Sequence, residues 1–365
     1  MGNALRAGEC TPGERLTKVF GGEAPGRTPV LGGWIACPEH ICGIAGVSAG
    51  EYWSDPVRHT VEAYRRLGTD GLIDICVPVN RGDFRVVDEN TYLRSSKGES
   101  LEDAAARVER MPTAEEYEAA FDIEGEYAKF KAHLLKYRAL CGEMLFMPAQ
   151  WGAGAKFSWY DDLGYENFFL LVGLRPGLAQ KLMELGGAMG YCKSRLVARA
   201  VGEGLYPGAV LLGEDICTQR GPMLSPDFLE KCYAPALRRG LSPLLEAGCR
   251  PVWHSDGDVR PLLGMLLDCG VQGFQGFQPE CGVTLELISG KRTREGGKLL
   301  IFGPLAVTTE LPVCTPGQIK EKVRRAVDVC RGNADLALFT SNTINPDVPL
   351  ENIYAMYEAA KEYTP

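Results

Sequence analysis

The chain has 365 residues, of which 45% are hydrophobic and 24% charged, enough apolar side chains for a large core. Its 47 acidic and 39 basic residues leave a net charge of −8, and no Lys/Arg cluster stands out, which argues against a nucleic-acid or anionic-membrane surface. No signal peptide, no myristoylation serine or threonine after Met1-Gly2 and no bilayer-length apolar run is present, so a cytoplasmic protein is expected.

Taken in order, the first expected strand is Pro29–Ile35, preceded by an N-terminal extension and followed by Cys37 and Cys42. That pair has no CxxC and no second pair to complete a zinc knuckle. The remaining cysteines of the thirteen lie mostly in apolar runs, as small core residues with reduced thiols do. A second strand is expected over Leu72–Val79. The stretch from Asn80 to about Leu140 is too long for one βα unit. It holds a β-like piece (Phe84–Leu93), a charged loop (Ser95–Asp103) and helical segments that start at a Thr113-x-x-Glu116 capping box. It reads as an insertion that caps one face of the fold.

Further strands are expected at Met144–Gln150, Ala209–Asp215, Pro251–Ser255, Gly273–Gln278, Leu299–Ala306 and Asp335–Ser341. They are apolar on both faces, as buried parallel strands are. Ser225-Pro226 and Thr315-Pro316 each place a capping hydroxyl before a first-turn proline, and Gln318 completes a capping box with Thr315. Glu351–Lys361 is an amphipathic helix. Eight strands alternating with helices predict an α/β protein, a single (β/α)8 TIM barrel with an inserted segment. No GxGxxG follows an early strand to favour an open dinucleotide-binding sheet.

Polar residues collect at the expected strand ends: Gly213-Glu214-Asp215, His254-Ser255-Asp256-Gly257, Gln278-Pro279-Glu280 and Ser341-Asn342-Thr343-Ile344-Asn345-Pro346-Asp347. Singly, each has an ordinary reading as a cap or a turn. Barrel closure would bring them to one mouth, where such folds keep their chemistry. Strand alternation puts His254 and Asp256 on the same side.

The segments GEDICTQRGPMLSPDFLEKCYAP, HSDGDVRPLL and SNTINPDVPLENIYAMYEAA, with Gln278-Pro279-Glu280, resemble the C-terminal half of the uroporphyrinogen decarboxylase superfamily. The specific block runs from Leu212 to Ala360. Leu16–Val30 and the stretch from Asp162 to Phe168 are similar to weaker patterns of the same group. The resemblance itself implies a (β/α)8 barrel. One branch decarboxylates uroporphyrinogen without a cofactor and is marked by arginines after the first strand. Here that region reads Gly32-Gly33-Trp34-Ile35-Ala36-Cys37-Pro38-Glu39-His40, with no arginine to grip carboxylates.

The other large branch comprises corrinoid-dependent methyltransferases. Members that methylate a thiol hold zinc with a His-x-Cys pair after strand five and a cysteine after strand eight. The corresponding positions here are His254, Asp256 and Asn342, so both thiolates are replaced by harder donors. The resemblance then implies a demethylase, which passes a methyl group from an aryl methyl ether or a methylamine-like donor to a corrinoid protein. Zinc is its implied metal, on His254, Asp256 and Asn342. His254, Asp256, Glu214 and Asp215 are the candidate acids or ligands. Trp34, Trp151, Trp159, Tyr160 and Trp253, with Gln278, are candidates to wall a substrate pocket, against the ordinary reading of the aromatics as core. A cofactor-free decarboxylase or lyase, and a non-catalytic ligand-binding barrel, stay open as alternatives.

Overall fold

Short parallel strands followed by helices organise the computed structural model, which describes residues 10–78 and 98–364. The expected β-like piece Phe84–Leu93 lies outside the described residues. Strands β1 (Leu31–Gly32), β2 (Gly71–Leu72) and β3 (Leu145–Phe146) form one parallel sheet in that order. A second parallel sheet runs β4 (Ala209–Gly213), β7 (Arg250–His254), β8 (Gly273–Gln275), β9 (Leu300–Leu305) and β10 (Asp335–Thr340). A small antiparallel hairpin, β5 (Cys217–Thr218) and β6 (Gly221–Pro222), follows β4.

Backbone hydrogen bonds join the sheets at both edges. Leu338 N–H donates to Pro29 O at 2.8 Å, and Gln150 N–H donates to Leu211 O at 2.8 Å. The parallel sheets therefore form a barrel-like ring, with the helices outside it.

Each expected strand has a counterpart, but β2 shares only Leu72 with the expected Leu72–Val79, β8 stops at Gln275, and those of the first half are shorter than read for local reasons. Gly33, at φ 118, ends β1, and a Cβ there would lie 2.2 Å from Ile73 O, so only glycine permits this approach of β1 to β2. Asp74, at φ 61, takes the chain out of extended geometry just after β2. After β3, Pro148 has no N–H to donate, and Ala149 N–H bonds to Asp74 Oδ1 at 3.2 Å instead of to a strand.

The expected caps are in place at Thr113, Ser225 and Thr315. The charged loop ends at Ser100 rather than Asp103, because the Ser100 side chain accepts Asp103 N–H and starts the helix Leu101–Arg110. That helix, Ala114–Ala120 and Ile123–Cys141 all pack against the long helix Pro176–Gly202, and Ile123–Cys141 also packs on β3. At the opposite end of the ring from the strand C-termini, buried Asp70 receives Arg15 at 2.6 Å and Arg27 at 2.9 Å and accepts Val30 N–H at 2.9 Å, tying the first helix and β1 to β2. All thirteen thiols are free. No helix among the described residues is long and apolar enough to cross a membrane.

Candidate active site

The site is built where β7 ends. The register sets Gly213, His254 and Gln275 side by side on β4, β7 and β8. The His254 ring meets Trp34 at 6.3 Å and Trp151 at 5.5 Å, both edge-to-face, and these come from the ends of β1 and β3. Partners drawn from opposite sides of the ring place the imidazole in the enclosed mouth. Strand alternation turns Trp253 the other way.

His254 Nε2 lies 3.9 Å from Asp215 Oδ1 and 4.0 Å from Asp256 Oδ1. One ligand atom from each of these three residues falls within 4.8 Å of the other two, and among the described residues this is the group of His, Cys, Asp or Glu arranged to hold a metal ion. Cys37 and Cys42 belong to no such group, and the Cys37 thiol donates to Glu39 at 3.1 Å. The Asp256 backbone N–H donates to Asp215 Oδ1 at 3.0 Å and so fixes the Asp215 carboxylate against the turn after β7. Burial raises the Asp256 carboxyl above the usual range; His254 and the Asn342 amide pull it down, and Asp215 pushes it further up.

Asn342 joins the cluster from the end of β10 through both ends of its amide. Its Nδ2 donates to Asp256 Oδ2 at 3.0 Å, and its carbonyl oxygen accepts Thr343 N–H at 2.7 Å. That bond uses one of the two lone pairs of the carbonyl oxygen, and Asp215 adds a carboxylate donor beside His254 and Asp256.

Glu214 is next to the cluster but directs its carboxylate at Ser158 N–H, 3.0 Å away. Burial raises it to about 7, against the lowering effect of the Ser158 bonds. Tyr160 is buried, and its hydroxyl donates to Asp215 O at 3.1 Å, so it holds the backbone beneath the site rather than lining it. Trp159 is buried against the Lys156 ammonium. Trp253 is 1% exposed and borders Phe274, Val259 and Ile288 on the helix side, away from the aromatic wall. Gln278 accepts Gly257 N–H and borders, with Asp256, Ser341, Asn342 and Thr343, an open cleft of about 250 Å³ beside the cluster.

Trp34 and Trp151 are 6.1 Å apart and differ in exposure: Trp34 is 7% exposed and Trp151 41%. An indole left that open at a mouth is available to a ligand or partner. Sequence reading passed over Gln275 and Asp74. Gln275 looked like one more residue of an apolar strand, and nothing in the sequence marks it. Asp74 is the non-glycine residue with positive φ among those described, and burial raises its carboxyl to about 6.

No family model matches the chain, and no curated protein does. Among solved structures, a methyltransferase from Methanosarcina mazei is similar, with a TM-score of 0.60 and 16% identity over 97% of this chain and 99% of that one. At that identity the likeness concerns the fold: this chain shares its barrel-like α/β architecture with a methyltransferase along almost its whole length.

Proposed function

We propose that the protein is a methyltransferase of the demethylase type, built on a (β/α)8 barrel of the uroporphyrinogen decarboxylase superfamily. In this reading it moves a methyl group from an aryl methyl ether or a methylamine-like donor to a corrinoid protein. The segment from about residue 80 to 140 is its insertion. The observation that carries the reading is the convergence of His254, Asp215 and Asp256 at the strand ends beside an exposed Trp151. The shared fold with a methyltransferase supports it.

Breaking a C–O or C–N bond requires the departing atom to be stabilised, and the methyl carbon must face open space for in-line attack by cobalt. Trp34 and Trp151 offer an aromatic wall for the donor. The His254, Asp215 and Asp256 acceptors face the departing oxygen or nitrogen. Their donor set suits a divalent cation such as zinc, since one nitrogen and two carboxylates converge within coordination range. A bound cation would act there as a Lewis acid on the leaving group. Asn342 and the Asp256 amide then serve as the braces that hold both carboxylates in place.

The test is methyl transfer to cob(I)alamin, followed by the absorbance of methylcobalamin, with aryl methyl ethers and methylamines as donors. His254→Ala is expected to reduce the rate about 100- to 10,000-fold with the fold unchanged. Release of CO2 from an acid substrate without methyl transfer would replace this reading by a decarboxylase. Ligand binding that survives His254→Ala, with no turnover in either protein, would replace it by a binding barrel.

A further inference from the structure

We propose that Gln275 is a positioning residue that holds His254 as the tautomer protonated on Nδ1, so that the Nε2 lone pair faces Asp215 and Asp256. The inference rests on the reading of His254 as the centre of the site, and its test needs no turnover.

Gln275 is 3% exposed, and its amide has three partners. Nε2 of Gln275 lies 2.8 Å from Thr340 O and 2.9 Å from Ser341 O. Both partners are backbone carbonyls, which only accept, so the NH2 group must face them and its orientation is fixed by chemistry. The other end, Oε1, then faces His254 Nδ1 at 2.5 Å. An oxygen acceptor at that distance requires a proton on Nδ1. In a neutral imidazole, Nε2 is then unprotonated.

The ring cannot escape by turning over. Rotation by half a turn would set a C–H against Gln275 Oε1 and leave a buried acceptor unpaired. Gly276, at φ 87, backs the same edge so closely that a Cβ there would sit 2.8 Å from Nδ1. Trp34 and Trp151 clamp the imidazole edge-to-face. Gln275 thus links β7 to the end of β10 across the interior, passing over β9, which lies between β8 and β10 in the sheet.

The consequence is chemical. The Nε2 lone pair faces two carboxylate oxygens at 3.9 and 4.0 Å. Such a cage attracts a cation and gives a neutral His254 no Nε2 proton to donate. In this neutral form His254 acts through Nε2 as a ligand or a base.

The experiment is long-range 15N–1H correlation NMR on metal-free, 15N-histidine-labelled protein at pH 8.5. The chain has only four histidines, so loss of one signal set in His254→Ala assigns the ring. Wild type is expected to show a pyrrole-like Nδ1 and a pyridine-like Nε2. Gln275→Leu is expected to lose this preference, and zinc affinity by calorimetry to fall about 10- to 100-fold. Gln275→Glu keeps an acceptor against Nδ1 and should restore the tautomer; circular dichroism checks that each variant folds. A wild-type ring protonated on Nε2, or a folded Gln275→Leu protein that retains both tautomer and zinc affinity, would overturn the assignment. Wild type with the Nδ1–H ring but no zinc binding supports the role of Gln275 while removing the cation from the proposed function.

Discussion

Asn342 Nδ2 donates to Asp256 Oδ2 at 3.0 Å, joining the end of β10 to the turn after β7. This bond orients the Asp256 carboxylate, whose other oxygen faces His254. Asn342→Ala is expected to weaken zinc binding about 10-fold by freeing that carboxylate, with little change in melting temperature because the position is only half-buried. Calorimetric zinc titration alongside thermal melts checks both halves of the expectation.

Two tryptophans proposed together for the pocket wall should behave in opposite ways. Trp253→Ala removes a fully buried indole and should cost about 3–5 kcal/mol of stability. Trp151→Ala removes a half-open one and should cost well under that while lowering methyl transfer. Urea unfolding of both variants, set beside the cob(I)alamin assay, separates core from wall. A large stability loss in Trp151→Ala would show that it too is core.

Asp74 links stability to pH. Burial raises its native carboxyl from 3.8 to about 6, so the folded chain holds a proton that the unfolded chain has released. Stability contributed by this group is full at low pH, falls as pH rises from about 4 to about 6, and is level above. The loss is at most roughly 3 kcal/mol. Asp74→Asn removes the titration, still accepts Ala149 N–H, and tolerates φ 61 better than most residues. It should therefore melt higher than wild type at pH 8, with the gap closing below pH 4. An equal gap at both pH values would show that Asp74 is not the titrating group.

Asp70 sits at the other end of the ring and takes no part in the proposed chemistry. Its buried carboxylate pairs with both Arg15 and Arg27, so Asp70→Ala leaves two cations without their shared partner and should cost on the order of 3–5 kcal/mol. Under conditions where the variant remains folded, methyl transfer per folded molecule should match wild type. Unfolding curves together with specific activity test this separation of stability from function.

The order of strands and helices was legible in the sequence because buried parallel strands are apolar on both faces and helices begin at recognisable caps. Thr113, Ser225 and Thr315 cap where their spacing said they would. His254, Asp256, Glu214, Asp215 and Asn342 were legible as strand-end residues for a related reason: a strand that ends in polar residues in a closed ring can only present them at one mouth, and the structure then groups His254 and Asp256 with Asp215. What the tertiary structure decided was the direction of each side chain there. Asn342 braces Asp256 through its amide nitrogen while its carbonyl accepts Thr343 N–H. Trp253 faced the helices because it stands one residue from His254 on a strand whose period is two. Gln275 gained its place from a reach across β9 to Thr340 and Ser341, carbonyls more than sixty positions away in the chain. Local pattern records burial and caps; hydrogen-bond partners distant in sequence exist only once the ring has closed.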